Sequence, residues 1–300
     1  MVNAHIAWYL FLAGMGGGAF LLAAAVDLAL RVRPGGTLES VASITDRGLV
    51  FGPLAVAVGL VFLLSDLGSP DRAFLLLLSP PNGILGWGAW GIALFLVTSI
   101  GAYLLGMFGE PPALRIAEIV CQVAATVLAA YVIGYSGVYL SLFPTVPFLN
   151  TPAVPVLFVV SALSTGTALM LACSFVLGGF DPYGRGLDLC IKAELVLIAI
   201  DLAALAAFLL ISWFANEQAR LSISALLWGD LATLFWLGVL CVGLLAPLLL
   251  GVYHRLYPGS PTFALGASCS VAGGLCLRYA LLQAAVRFSV FSMEAVAFWA

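Results

Sequence analysis

Long apolar stretches follow one another along this chain with very little between them. Of its 300 residues, 63% are hydrophobic and only 8% are charged, whereas soluble domains have about 25% charged residues. About 20 consecutive apolar residues are enough to cross a bilayer as a helix. A chain of this length cannot hide so much apolar surface in a soluble core, so the sequence predicts an integral membrane protein.

The apolar stretches divide into eight predicted spans. Their approximate bounds are 5–31, 43–66, 84–108, 113–140, 151–178, 187–214, 228–252 and 262–290. Most gaps contain Gly, Pro or charged residues, which interrupt a helix. The spans must be helical, because hydrocarbon offers no partner to a free backbone N–H or C=O group. We therefore predict an all-α, polytopic transmembrane bundle, a single membrane domain with a four-helix bundle in 1–140 and another in 151–300.

The distribution of Lys and Arg predicts the orientation of the bundle. With eight spans both termini lie on one side, and with that side outside, seven basic residues lie at the inner face. These are Arg31, Arg33, Arg47, Arg115, Arg185, Lys192 and Arg255. Only Arg72, Arg220 and Arg287 lie at the outer face, so the excess of positive charge inside favours outside termini. The segment from Met1 to Ala13 contains no Lys or Arg, which argues against a cleaved signal peptide.

Several classes of site are disfavoured by the residues present. There is no basic run for nucleic acid. The six cysteines form no CxxC pattern, so an iron–sulfur cluster or a metal site in this protein is not expected. Haem held by two histidines is excluded on this topology, because His5 and His254 lie at opposite faces of a core about 30 Å thick.

The first span begins with an aromatic run that turns into glycines, from Trp8 to Gly18. Gly14 and Gly18 have the four-residue spacing that lets two helices approach closely. One interpretation is tight packing of the first helix. The other is that these small residues leave room beside Tyr9 for a flat ligand.

A second motif, Asp66 to Arg72, follows the second span. Gly68 and Pro70 end the helix there, and Asp66 lies at the predicted membrane edge. A carboxylate at this position either pairs with Arg72 to fix the loop or belongs to a ligand pocket.

A third motif ends the fourth span and contains Tyr135, Gly137 and Tyr139. Tyrosines at the membrane interface commonly anchor a helix in the aromatic belt. Tyr135 lies between Gly134 and Gly137, where a phenol has space to hydrogen-bond a quinone carbonyl and relay a proton.

Acidic and amide side chains also occur deeper in the spans, where an ionisable group costs several kcal/mol (estimates start at about 2.5) and is therefore a candidate functional residue. Our candidates for a proton path are Glu118, Gln122, Glu194, Asp201 and Asp230. Glu118 and Gln122 share one helix face, as do Glu194 and Asp201. Polar contacts between helices are the alternative interpretation.

Five ordered motifs together resemble the NrfD/PsrC family, the membrane subunits of polysulfide reductase and related complexes. They are the run from Trp8 to Gly18, Asp66 to Arg72, Trp87-Gly88-Ala89-Trp90, Tyr135-Ser136-Gly137, and the stretch from Pro152 to Gly166 that includes Ser161 and Ser164. The match is detailed over the first five spans. Beyond residue 180 it is limited to hydropathy and the number of helices.

The resemblance implies eight helices in a bacterial or archaeal cytoplasmic membrane, without haem or another redox cofactor in this protein. It further implies menaquinone or ubiquinone as substrate, bound near the outer face, a four-cluster iron–sulfur partner subunit and, through it, a molybdopterin catalytic subunit. Tyr135 and Asp66 are then the expected catalytic residues. The expected quinone contacts are Tyr9, His5, Gly14, Gly18, Arg72, Trp87, Tyr139 and Ser161. Family members place a histidine or other polar residue on the first helix near Tyr9, whereas here His5 lies one turn earlier.

Two alternative functions compete with this one. A proton or solute transporter would use the intramembrane acids, but broken helices at matching positions of two repeats, which are typical of transporters, are not visible. A passive anchor for a soluble complex needs only one or two helices, and eight argue against it.

Overall fold

The computed structural model describes residues 4–66, 83–108, 111–142, 146–178, 184–257 and 259–297. For Thr37, Asp66, Leu85 and 286–297 it describes the backbone alone. Within these ranges the protein forms helices and no strand. The helices are α1 (Ala4–Val32), α2 (Thr37–Asp66), α3 (Ile84–Met107), α4 (Pro112–Ser141), α5 (Ala153–Leu177), α6 (Arg185–Ala215), α7 (Glu217–Leu227), α8 (Leu234–Leu256) and α9 (Thr262–Ala297).

The predicted all-α membrane bundle is confirmed. In the described part of the protein, eight helices are long and apolar enough to cross a membrane, and only the short α7 is not among them. Most ends lie within a few residues of the predicted ones. Larger differences occur at three ends: the second helix begins at Thr37 rather than residue 43, the seventh span begins at Leu234 rather than residue 228, and the last helix ends at Ala297 rather than residue 290.

The difference at the seventh span has a local cause. Asn216 accepts a hydrogen bond from the Ala219 backbone N–H over 2.8 Å and so starts α7, a separate helix of about three turns. The backbone then turns through Gly229 and Asp230, both exposed, before α8 begins. The structure therefore places Asp230 in the turn before α8, whereas the predicted seventh span included this residue.

The first part of α8, Leu234–Leu245, is wound as a π-helix and continues as an α-helix over Ala246–Leu256. π-helical segments are rare and occur preferentially at functional sites. Here the segment crosses α9 so closely that a Cβ atom added to Gly273 would overlap the Cα atom of Gly243. The altered winding is therefore combined with direct backbone contact between the two helices.

α1 runs through the middle of the bundle and contacts α2, α4, α5 and α9. Its glycines make this possible, since three consecutive ones adjoin three different helices. A Cβ atom on Gly16 would overlap the Gly52 carbonyl oxygen of α2, one on Gly17 would lie 3.1 Å from Ile133 Cγ1 of α4, and one on Gly18 would overlap the Ala162 carbonyl oxygen of α5. Close helix packing is thus the role that the structure shows for these residues.

Helices α1 to α4 contact one another, and so do helices α5 to α9. The two groups meet where α1 and α4 pack on α5 and where α2 packs on α5 and α6. This arrangement is compatible with two four-helix bundles in 1–140 and 151–300, a division that stays a prediction.

Candidate functional site

Three tyrosines form a stacked column along α4. The rings of Tyr131 and Tyr135 have centroids 5.7 Å apart, and those of Tyr135 and Tyr139 are 5.8 Å apart, with interplanar angles of 27° and 28°. The column follows from the sequence, because residues four apart lie above one another on a helix. It brings three phenols together at the end of the bundle where α1 begins and α2 ends.

Tyr135 is the best defined member of this column. Its hydroxyl donates a hydrogen bond to the carbonyl oxygen of Ile84, in the first turn of α3, over 2.7 Å. Its ring fills the space that a side chain on Gly88 would occupy, since a Cβ atom there would overlap the ring. Gly88 therefore allows α3 to hold the phenol in place, and the donated bond leaves acceptor capacity on the phenol oxygen.

Gly91 repeats the arrangement one turn further along α3. A Cβ atom on Gly91 would overlap the ring of Tyr131. The WGxW pattern at the start of the third span predicted a site contribution from Trp87, which is 57% exposed and stays a candidate. Gly88 and Gly91 join Ile84 as residues of α3 that contact the tyrosines. Glycines at these positions were not predicted as site residues. The sequence pattern that could have indicated them is the three-residue spacing of Gly88 and Gly91, which matches the four-residue spacing of Tyr131 and Tyr135 on the neighbouring helix.

Tyr9 of α1 lies beside this column, with its hydroxyl in electrostatic range of those of Tyr135 and Tyr139. Its side chain is partly buried and packs against two of the hydrophobic clusters of the bundle. The structure thus brings together Tyr9, Tyr135 and Tyr139, three of the residues for which a ligand contact was predicted.

The start of α1 also packs on the end of α2. Trp8 and Phe62 stack with centroids 5.6 Å apart and an interplanar angle of 15°, and the His5 and Phe62 rings lie 6.2 Å apart. Asp66 is the last residue of α2, four positions after Phe62, and only its backbone is described. Arg72 and the rest of the motif after Asp66 lie outside the described residues.

The glycine pair of α1 and Ser161 belong to a different region. A Cβ atom on Gly14 would lie 3.2 Å from an Nη atom of Arg278 and 3.5 Å from the Ala162 Cβ atom, and Gly18 meets the α5 backbone. Ser161 is fully buried and accepts a hydrogen bond from Arg278 over 2.7 Å. Gly14 and Ser161 therefore adjoin a buried charged cluster, and Gly18 packs on the backbone of α5 at Ala162.

Arg278 of α9 is the centre of that cluster and is only 1% exposed. Besides Ser161, it contacts Phe158 through a hydrogen bond of 3.3 Å to the backbone oxygen and through the ring, whose centroid lies 4.8 Å from Cζ. Asp201 of α6 interacts electrostatically with Arg278 and lines the same small cavity as Ser161. Arg278 falls within the predicted last span, 262–290, and its partners are visible only in the structure.

A small cavity adjoins this cluster. It has a volume of about 10 Å³, the scale that holds a single water molecule. Its wall includes Ser161, Ser164 and Asp201 together with Gly243 of the π-helical segment. Among the described residues, the Ser164 hydroxyl, one Asp201 oxygen and Arg278 Nε are buried without a hydrogen-bond partner. Unpaired polar atoms of this kind are commonly satisfied by internal water.

The other residues predicted for a proton path do not lie together in the structure. Glu194 is buried on α6, seven residues from Asp201, and its Oε1 has no hydrogen-bond partner among the described residues. Glu118 lies in an ion pair with Arg31, and Gln122 donates a hydrogen bond to Asp27. Glu118 and Gln122 lie near the opposite end of the bundle from the tyrosines, between α1 and α4.

Within the described ranges, no group of three or more His, Cys, Asp or Glu side chains is placed to hold a metal ion. His254 is buried near the end of α8, where its Nδ1 and the Ser260 backbone oxygen lie 2.8 Å apart. His5 lies at the beginning of α1, so the two histidines occupy different helices at different ends.

Comparison with known proteins agrees with this architecture. The C polypeptide of the polysulfide reductase of Wolinella succinogenes is 30% identical over a match of 307 aligned positions. The match covers 94% of the present protein and 93% of that relative. Protein NrfD of Escherichia coli is 28% identical, with 93% of both proteins covered. The C component of the selenate reductase of Mesobacillus selenatarsenatis is 24% identical over 92% of the present protein and 72% of its own length.

The family model described as polysulphide reductase, NrfD, matches residues 3–290, which is nearly the whole length, including the α6 to α9 region where the motifs were least informative. Together with the eight apolar helices, this match shows that the protein is an integral membrane protein belonging to the NrfD family.

Proposed function

We propose that this protein is the membrane subunit of a molybdopterin- and iron–sulfur-containing oxidoreductase, and that it exchanges electrons between a membrane quinone or quinol and an iron–sulfur partner subunit. The names of two relatives support it, since both are components of reductases, one of polysulfide and one of selenate. A reductase of an oxyanion or of polysulfide needs an electron donor, and a membrane subunit has access to the lipid-soluble quinol pool. The terminal reduction then takes place in another subunit.

The observation that carries the proposal is the meeting of Tyr9, Tyr135 and Tyr139 at one end of the bundle. Quinone chemistry supplies the two electrons and two protons, while the protein provides placement and proton handling. The Tyr135 oxygen, held by Ile84, would accept a hydrogen bond from a quinol hydroxyl. A proton that leaves the quinol would pass by way of Tyr135 or Asp66 to the aqueous side.

The orientation belongs to the same proposal. With both termini outside, the tyrosine end of the bundle faces the outer side of the cytoplasmic membrane, where a four-cluster iron–sulfur subunit and the molybdopterin subunit would dock. The reduced forms of menaquinone and ubiquinone both have the hydroxyl groups that could donate to the Tyr135 oxygen. His5, Arg72 and Trp87 are the further candidates for contacts with the head group or with the partner.

The test is quinone binding to the purified protein, measured by extraction of bound lipid and by titration of a quinol analogue against Tyr and Trp fluorescence. Tyr135→Phe should weaken the affinity about tenfold, as expected for the loss of one hydrogen bond. Tyr131→Phe is the matched control, because it removes the same hydroxyl one turn away in the same column. Absence of quinone even with the iron–sulfur partner present, or equal effects of both variants, would contradict the proposal.

Proton transfer through the second half of the bundle is a second candidate function. The buried acids Asp201 and Glu194, each with an oxygen that has no partner among the described residues, favour it. Asp201→Asn in the complex reconstituted into vesicles should abolish proton movement and leave electron transfer intact. Unchanged proton movement would assign Asp201 to helix packing alone.

A further inference from the structure

The short helix α7 connects two membrane spans without being a span itself. In the described part of the protein α6 ends at Ala215, α7 runs from Glu217 to Leu227, and α8 begins at Leu234. Because successive spans alternate in direction, the end of α6 and the beginning of α8 lie at the same end of the bundle as the tyrosine column. α7 therefore lies where the spanning part of the protein ends.

Two side-chain hydrogen bonds hold α7 against both spans. Arg220 Nε donates to the backbone oxygen of Trp213, in the last turn of α6, over 2.8 Å. Near the beginning of α8, Trp236 Nε1 donates to the backbone oxygen of Leu227, the last residue of α7, over 3.0 Å. Arg220 and Leu227 are seven residues apart, so they share one side of the helix at a separation of about 10 Å. Since both points are fixed to span ends, α7 lies across the end of the bundle and does not project from it.

α7 is apolar on its outward side as well as on its inward side. The inward side packs on α6 and α9 and consists of Ala219, Ser222, Ile223 and Leu226, all buried. On the outward side, Leu221 is 52% exposed, and Trp228, directly after the helix, is 72% exposed. Leu221 and Trp228 are seven positions apart and so point the same way. A helix of a water-facing surface has polar residues opposite its buried side, so this outward side indicates an apolar or interfacial neighbour.

The outward side of α7 continues the lipid-facing surface of the adjoining spans. Phe214 at the end of α6 is 73% exposed, and Trp236 near the beginning of α8 is 49% exposed. Trp213 is 36% exposed, and the Arg220 guanidinium carbon lies 5.9 Å from its ring centroid. Three of the seven tryptophans of the protein thus fall within the segment from Trp213 to Trp236. Tryptophan concentrates at membrane–water boundaries because its ring is apolar and its N–H group is polar.

We propose that α7 is an interfacial helix, whose outward residues Leu221 and Trp228 contact the layer between lipid headgroups and acyl chains in the leaflet at the tyrosine end. This layer accepts both the apolar ring and the N–H group of a tryptophan. The two charges of α7, on Glu217 and Arg220, cancel, so the helix offers no net charge that would select an acidic or a basic protein surface. The proposal rests on the membrane insertion of the spans and does not depend on quinone binding.

The test is fluorescence quenching of the full-length protein in phosphatidylcholine vesicles, with bromine near the headgroup end or near the far end of one acyl chain. The emission lost on Trp228→Phe is the contribution of Trp228. Bromine near the headgroup should remove most of this contribution, bromine near the chain end should remove less, and iodide on both sides of the membrane should remove little. The corresponding difference for Trp236→Phe is the positive control, because Trp236 belongs to a span and should be quenched by lipid in any case.

A transferred tryptophan tests the orientation of α7. Gln218 is exposed and lies on the side of α7 opposite Arg220 and Leu227, which are fixed to the spans. In the double variant Trp228→Phe with Gln218→Trp, iodide should therefore quench the new tryptophan and the brominated lipids should not. Quenching of Trp228 by iodide and by neither lipid would overturn the proposal and assign the outward side of α7 to water or to a soluble partner. The same response at positions 218 and 228 would overturn it as well.

A second pair of variants tests the same side without fluorescence. Leu221→Asp introduces a carboxylate into the proposed interfacial layer and should speed amide hydrogen exchange over Glu217–Leu227 in vesicles. Gln218→Asp is the matched control, because it introduces the same residue into α7 on the side toward water, and it should leave the exchange unchanged. Equal exchange rates in the two variants would contradict an interfacial position of Leu221.

Discussion

Arg278 on α9 donates a hydrogen bond to the Ser161 hydroxyl on α5 over 2.7 Å, and both side chains are fully enclosed by the bundle. The bond joins the last span to the fifth across 117 positions of sequence. With Asp201 of α6 in electrostatic range, three helices share one buried charge cluster.

Arg278→Met should therefore destabilise the protein strongly. The change removes the hydrogen bonds of Arg278 to Ser161 and Phe158 together with its electrostatic interaction with Asp201, and each hydrogen bond to a charged group contributes about 1.5–3 kcal/mol. Thermal unfolding in detergent measures the effect, with exposed Arg115→Met as the control. The double variant Arg278→Met with Asp201→Leu should recover part of the loss, and equal melting temperatures for Arg278→Met and the unmodified protein would show that the cluster contributes nothing to stability.

Gly88→Ala is expected to displace Tyr135 from the carbonyl of Ile84. The added methyl group would overlap the tyrosine ring, and forcing an extra carbon into a packed site commonly costs about 1–3 kcal/mol. The affinity for a quinol analogue should fall together with the melting temperature. Gly134→Ala, whose added methyl group meets nothing, should change neither; a normal affinity in Gly88→Ala would indicate that the position of Tyr135 does not matter for the ligand.

Gly14→Ala and Gly18→Ala should differ although they lie one turn apart on α1. At Gly18 the new atom would overlap the Ala162 backbone oxygen, so α1 and α5 must separate. At Gly14 the nearest atom is the end of the Arg278 side chain, 3.2 Å away, which needs to move only slightly. The melting temperature should fall more for Gly18→Ala. A ligand role for both glycines without a packing role would instead give small and similar shifts.

Asn216→Ala should loosen α7 and leave the spans unchanged. It removes the side-chain oxygen that caps the helix at Ala219, a loss of about 1 kcal/mol. Faster amide hydrogen exchange over Glu217–Leu227, compared with the same segment in Glu217→Gln, is the measurement. Equal exchange rates in both variants would show that packing on α6 and α9 holds α7 without the cap.

The eight spans were predictable because each helix must satisfy its own backbone in hydrocarbon, so hydropathy and breakers define it. The beginning of the seventh span was not predictable, because Trp228 and its neighbours continue the apolar pattern. The cap at Asn216 and the turn at Asp230, which separate α7 from α8, depend on local geometry. π-helical winding of Leu234–Leu245 likewise has no recognisable pattern in the sequence.

The candidate site was predictable in part. Tyr9, Tyr135 and Tyr139 were identified from an interfacial motif, and their proximity in the structure agrees with it. The partners of a buried polar residue depend on how helices far apart in sequence pack, so the pairing of Ser161 with Arg278 could not be read from the sequence. The shared face of Glu118 and Gln122 was visible, but the contacts of Glu118 with Arg31 and of Gln122 with Asp27 depend on how α1 and α4 pack.

The three consecutive glycines of α1 have a mechanical consequence. Gly16, Gly17 and Gly18 are held at one level by α2, α4 and α5, so α1 can neither rotate about its axis nor slide along it without separating three interfaces. The position of α1 is thus fixed relative to its three neighbours. A piston or rotary movement of the first helix alone would therefore have to break its contacts with α2, α4 and α5 at the same time.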